Sequence, residues 1–89
     1  MKIKPISLNV SGRSQVVEIP GDYQFLSLKL IGHAPFLFVA HYGGSEIASV
    51  QIHTLECGVE FSEKMELVFL DTLVIDGLAR HYFLQEKTL

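Results

Sequence analysis

The sequence predicts an all-β protein, a compact antiparallel β-sandwich or jelly-roll-like barrel of about seven or eight short strands. Three observations carry that prediction. The β-branched residues are eight Val, seven Ile and three Thr against only four Ala, and branching at Cβ suits a pleated strand better than a helix. Apolar residues alternate with polar ones at period two, as Ile6, Leu8 and Val10 do around Ser7 and Asn9. Turn-forming residues recur roughly every ten positions, the rhythm of short strands in a sandwich or barrel. A chain of 89 residues accommodates one such domain, spanning 1–89, and no second.

In chain order, Ile3 to Val10 is the first alternating strand, stopped by Ser11 and Gly12. Ser14 to Ile19 follows, ended by the Pro20–Gly21–Asp22 turn. Tyr23 to Ile31 places Leu26, Leu28 and Leu30 on one face, and Gly32 to Pro35 turns the chain. Pro35 to Tyr42 is apolar on both sides, with Phe36, Phe38, Ala40 and Tyr42 opposite Leu37, Val39 and His41. Gly43 to Ser45 breaks it, Glu46 to Leu55 makes the next strand, and a short one is expected at 58–62. Met65 to Ile75, with a break near Asp71, is again apolar on both sides: Phe69, Leu73 and Ile75 against Val68, Leu70 and Val74. Residues 62–67 fit either a helical turn or the start of that strand. The Asp76–Gly77 pair between apolar runs signals a type I′ hairpin, because both residues tolerate positive φ. A two-residue loop sets Ile75 opposite Leu78 and Leu70 opposite Phe83.

The composition excludes several classes of function. Seven Lys plus Arg, scattered among ten Asp plus Glu for a net charge of −3, give no basic stripe for nucleic acid. The longest charge-free stretch, Leu30 to Ser45, is interrupted by Gly32, Pro35, Gly43 and Gly44 and is too short to cross a bilayer as a helix. The N-terminus places Pro5 and polar residues where a signal peptide has an apolar run, and the single cysteine, Cys57, makes no intrachain disulfide. Folding in the cytoplasm is expected.

The groups capable of chemistry are dispersed. The four histidines, His33, His41, His53 and His81, lie 8, 12 and 28 residues apart, which matches no local metal motif. A cupin-like metal-binding barrel enzyme would start from His53 with Glu56 and Glu60, but a second histidine two residues away is missing. No metal or cofactor is expected. Cys57 lies between Glu56 and Gly58 without a basic neighbour in sequence, so it reads as a buried or half-buried turn residue rather than a nucleophile. Glu56, Glu60, Glu63 and Glu66, opposed only by Lys64, could pair for acid–base work on a sugar, but they also suit a solvated edge that resists aggregation. Tyr23, Tyr42 and Tyr82 could stack on sugars in a carbohydrate-binding module, although tryptophan is absent. Gly43 and Gly44 are a turn rather than a phosphate loop, which needs a following helix.

The stretch from Val16 to Leu84 resembles the small all-β accessory proteins of tailed-bacteriophage virions. The similarity rests on the Ile19–Pro20–Gly21 turn, the strand Tyr23 to Ile31, the apolar Ala34 to Ala40 followed by Gly43 and Gly44, and the closing hairpin at Asp76 and Gly77. It implies a non-enzymatic role in capsid, neck or tail assembly as a symmetric oligomer, with a larger virion or assembly protein as partner. A fibre-base, cement or adaptor module fits, since coiled-coil and collagen-like segments are lacking.

The two-faced strands lead to the same kind of role. A two-layer sandwich hides one face of each sheet, so strands apolar on both need another cover. A second copy of the chain provides one, and a bent barrel or an overlying loop would provide another. The expected interface draws on Phe36, Leu37, Phe38, Val39, Val68, Leu70 and Val74. A homo-oligomer, a trimer or another closed ring, is the expected assembly.

Overall fold

A computed structural model describes residues 1–10, 13–44, 46–58 and 66–86. Among them are seven strands: β1 (Lys2–Ser7), β2 (Ser14–Pro20), β3 (Gln24–Ile31), β4 (Ala34–His41), β5 (Ile47–Glu56), β6 (Val68–Ile75) and β7 (Leu78–Glu86). They form two antiparallel sheets, one of order β1-β4-β3 and one of order β2-β5-β7-β6. No described strand belongs to both, so the fold is a sandwich rather than a closed barrel. No helix among the described residues is long and apolar enough to cross a membrane. The expected strand at 58–62 lies outside the described residues except for Gly58, which is in a turn. Of the ambiguous stretch 62–67, only Glu66 and Leu67 are described, in neither helix nor strand.

The core is the space between the sheets. Leu28, Leu37 and Val39 from the three-stranded sheet meet Ile19, Val50, Ile52, Leu70, Tyr82 and Leu84 from the four-stranded one, with Leu8 at one end. Alternation at period two brings these residues to one face of each strand. Burial of each large side chain contributes about 1.5–3 kcal/mol.

Several strand ends have visible causes. The first strand stops at Ser7 rather than Val10 because the Gln15 side chain takes over the backbone of Asn9, accepting from its N–H at 2.8 Å and donating to its carbonyl at 3.2 Å. Leu8 still donates to the Pro35 carbonyl at 3.0 Å. The chain then passes to the other sheet, where the Arg80 guanidinium Nη1 donates to the Val10 carbonyl. The Asp76–Gly77 hairpin forms as the sequence predicts, with φ of 52° at Asp76 and 81° at Gly77 and Ile75 opposite Leu78.

Two β-bulges change the expected facing. Between Phe25 and Ser27 the register shifts and leaves Leu26 over. Phe25 then packs against the core and Leu28 is buried, and Leu30 shares the side of Leu28, opposite Pro35, though it is exposed, while Leu26 alone leaves that face and is exposed. In β6 the shift between Phe69 and Asp71 leaves Leu70 over, so Phe69 rather than Leu70 stands opposite Phe83. The extra residue, near the break expected at Asp71, turns Leu70 into the core with Ile75, whereas Val68, Phe69 and Val74 remain exposed. A bulge adds one residue and reverses the alternation beyond it.

Truncation of the buried Ile52 to Ala is expected to cost about 2–5 kcal/mol in urea denaturation, and truncation of the exposed Ile47, on the same strand, no more than about 0.5 kcal/mol. Equal losses at the two positions would contradict the facing of β5.

Candidate functional site

Residues directly opposed across an antiparallel pair point to the same side of the sheet, so the strand register defines the two outer faces. On the three-stranded sheet, Ile3 stands opposite Ala40, Pro5 opposite Phe38 and Ser7 opposite Phe36. On the far side of β4, Ser27 stands opposite Phe38, Lys29 opposite Phe36 and Ile31 opposite Ala34. Gln24 also stands opposite Ala40, so this face is apolar apart from Ser7, Ser27 and Gln24, with Lys29 its single charge among these. Ile3 and Ile31 are exposed, and Phe36 and Phe38 are half-buried with ring centroids 6.5 Å apart.

Of the seven residues expected at an interface, four lie outside the core: Phe36 and Phe38 on this face, and Val68 and Val74 on β6. Leu37, Val39 and Leu70 are enclosed by the chain's own core, which takes them out of any contact between folded copies.

The outer face of the four-stranded sheet is mixed, with exposed Val16, Ile47, Phe69 and Val74 among hydrogen-bonded polar side chains. His53 stands opposite Phe83 and His81 opposite Leu55. The His53 Nε2 lies 2.7 Å from Gln85 Oε1, and Gln51 Nε2 donates to Ser14 Oγ at 3.3 Å. Phe69 meets Phe83 edge to face at 5.4 Å. At the end of β5 the Cys57 Sγ is 3.2 Å from His81 Nε2, and His81 Nδ1 is 2.8 Å from Thr72 Oγ1. Cys57 is exposed, rather than buried or half-buried as its sequence suggests, and its basic neighbour comes from β7.

A third polar cluster lies at one end of the sandwich. Asp22, in the turn after β2, accepts from the Tyr42 and Gly44 backbone N–H groups at 3.1 and 3.0 Å. Its Oδ1 lies 2.9 Å from His41 Nδ1. The Gly44 N–H, above all, and then His41 hold the Asp22 carboxyl below its ordinary value of 3.8. An open cleft of about 230 Å³ lies alongside, lined by Lys4, Glu18, His41 and Glu46 among others.

The remaining chemical candidates do not converge. His33 is in the exposed β3–β4 turn, His41 at the sandwich end, and only His53 and His81 share a face. Among the described residues no three His, Cys, Asp or Glu side chains are grouped to hold a metal. Glu60 and Glu63 lie outside the described residues, and Glu56 is exposed opposite Arg80. The three tyrosines make no common platform. Tyr82 is fully buried, Tyr23 packs against the core, and the exposed Tyr42 donates its hydroxyl to Gln24 at 2.7 Å. Thr54 approaches the Tyr82 hydroxyl without completing a hydrogen bond. Burial pushes that phenol above its ordinary 10.0, with Arg80 and Thr54 acting in the opposite direction.

No family model, curated protein or solved structure matches the chain.

Because Asp22 titrates lower folded than unfolded, it contributes stability that is complete above the unfolded value and is lost as pH falls through the folded one. Urea denaturation carried downward from about pH 5 is expected to show a shallower acid-side loss in Asp22→Asn than in the wild type. Superimposable acid limbs would show that Asp22 is not held by its partners.

Proposed function

We propose that the chain is a non-enzymatic structural module that self-associates through the outer face of its three-stranded sheet. The observation that carries this reading is the composition of that face: Ile3, Pro5, Ala34, Phe36, Phe38 and Ile31 around the buried Ala40, with Ser7, Ser27 and Gln24 as uncharged polar residues and one charge at Lys29. Exposed Ile3 and Ile31 flank the two half-buried rings, so a second surface laid across them removes further apolar area from water. Each large side chain fully covered contributes about 1.5–3 kcal/mol, less where half is already covered. Several together offset the entropy of association.

A second copy suits this face because Lys29 is the one charge that an identical partner would have to avoid. The edges of the sheets favour the same contact. β1 carries Lys2, Lys4 and Pro5, β2 carries Glu18 and Pro20, and β3 and β6 each contain a bulge. Charges, prolines and bulges discourage strand addition at an edge, leaving face-to-face packing as the route to assembly. One face laid on its own copy closes about a two-fold axis, so a dimer is proposed in place of the trimer or other closed ring expected from the sequence. The resemblance to virion accessory proteins supports a larger symmetric particle as the setting for the assembly.

Replacing Phe36 and Phe38 together by Asp is expected to give a folded, soluble monomer in sedimentation velocity, while the wild type sediments as an oligomer. The same double replacement at Leu37 and Val39 is expected not to fold, because those side chains belong to the core. A wild type that remains monomeric at micromolar concentration would refute self-association.

A further inference from the structure

The turn after β2 fixes the walls of the cleft at the sandwich end. Gly21 donates its N–H to the Glu46 carbonyl at 2.8 Å, and a Cβ on Gly21 would stand 3.2 Å from that of Glu46, closer than ordinary packing allows. The neighbouring Asp22 accepts from the Gly44 N–H at 3.0 Å and holds the His41 ring through Nδ1 at 2.9 Å. A Cβ on Gly44 would come within 3.2 Å of the same carboxyl. His41, Gly44 and Glu46 all line the cleft, so one turn positions three of its residues. Support of that kind keeps a binding site in shape before its ligand arrives.

The charges on these walls are left unpaired. Lys4 stands opposite the core residue Val39, so it points between the sheets from the three-stranded side, as His41 does two residues along from Val39. Glu18 belongs to β2 and Glu46 leads into β5, both on the four-stranded side. Among the described residues the one ion pair is that of His41 with Asp22. Lys4, Glu18 and Glu46 line the same cleft of about 230 Å³ and do not pair across it. Exposed Ile47 supplies apolar surface beside them.

We propose that this cleft binds a free α-amino acid with an apolar side chain. Lys4 meets the ligand's carboxylate, Glu18 and Glu46 its ammonium, and Ile47 its side chain. A simple anion would be repelled by the two glutamates, and a simple amine by Lys4. A zwitterion answers both walls. The volume is below the about 300–1,000 Å³ of drug-sized sites, which suits a single amino acid better than a nucleotide or an oligosaccharide. His41, with Nδ1 taken by Asp22, keeps Nε2 for a further hydrogen bond. The cleft lies between the sheets and not on the proposed association face, so neither proposal depends on the other.

The experiment titrates isotope-labelled wild-type protein with L-leucine at pH 7 and follows the backbone amide resonances by NMR. Saturable shifts at Gly44 and Ile47 are expected, with a dissociation constant on the order of millimolar, as suits a ligand of this size. Isopentylamine, which lacks the carboxylate, and 4-methylpentanoate, which lacks the ammonium, are each expected to bind about tenfold more weakly. Lys4→Gln and the double replacement of Glu18 and Glu46 by Gln are each expected to weaken L-leucine by about the same factor. These side chains are exposed, so the variants are expected to fold as the wild type does. The proposal is overturned if L-leucine gives no saturable shift, if either singly charged analogue binds as tightly as L-leucine, or if both variants keep the wild-type affinity.

Discussion

Apolar contact between the two sheets holds this protein together, and it runs through their interior strands. β4 presents Leu37 and Val39 from the middle of one sheet, and β5 and β7 present Val50, Ile52, Tyr82 and Leu84 from the middle of the other. Every other feature is placed by that contact. Arg80 reaches the Val10 carbonyl because β7 is fixed against the core, and this ties the passage between β1 and β2 to the four-stranded sheet. Tyr82 has a cost as well as a benefit, since its ring fills core volume while its hydroxyl is buried without a complete hydrogen bond. Leaving a buried hydroxyl unpaired costs on the order of 1–3 kcal/mol, which the burial of the ring offsets.

Once the inner faces are fixed, the outer ones follow from alternation, and they differ in character. The three-stranded sheet turns phenylalanines, isoleucines and small residues outward. The four-stranded sheet turns out His53, Gln51, Gln85, Thr72 and His81, most of them joined by side-chain hydrogen bonds. The second face also leaves Val16, Ile47, Phe69 and Val74 exposed, so the two faces differ in their share of polar hydrogen-bonding groups. The same strand, β4, thus supplies both the core and the apolar exterior, which makes it the link between folding and the proposed assembly.

Much of the fold was legible in the sequence, because alternation and turn residues are local signals. Asp76 and Gly77 marked a hairpin whose two-residue loop correctly aligned Ile75 with Leu78, and Phe36 to Val39 correctly read as apolar on both faces. Bulges were less legible. Leu26 and Leu70 are ordinary strand residues, and nothing local marks the extra position that reverses the facing of Leu26 and seats Leu70 in the core. The polar clusters were legible only in part. Hairpin register already aligned Thr72 with His81, but Cys57 joins them through the pairing of β5 with β7, which is set by the packing of the whole sheet. Asp22 and His41 likewise meet only when β4 and the turn after β2 come together at one end of the sandwich.

The central claim is that the exterior of β4 is covered by a second copy of the chain, and side-chain footprinting tests it without any substitution. Hydroxyl radicals oxidise accessible aromatic rings, so the wild type can be labelled over a range of protein concentrations and the modification of each phenylalanine read by mass spectrometry. Self-association through the three-stranded sheet predicts that Phe36 and Phe38 become protected as concentration rises, while exposed Phe69 on the other sheet is labelled equally throughout. Equal labelling of Phe36 and Phe38 at every concentration, or protection confined to Phe69, would contradict it.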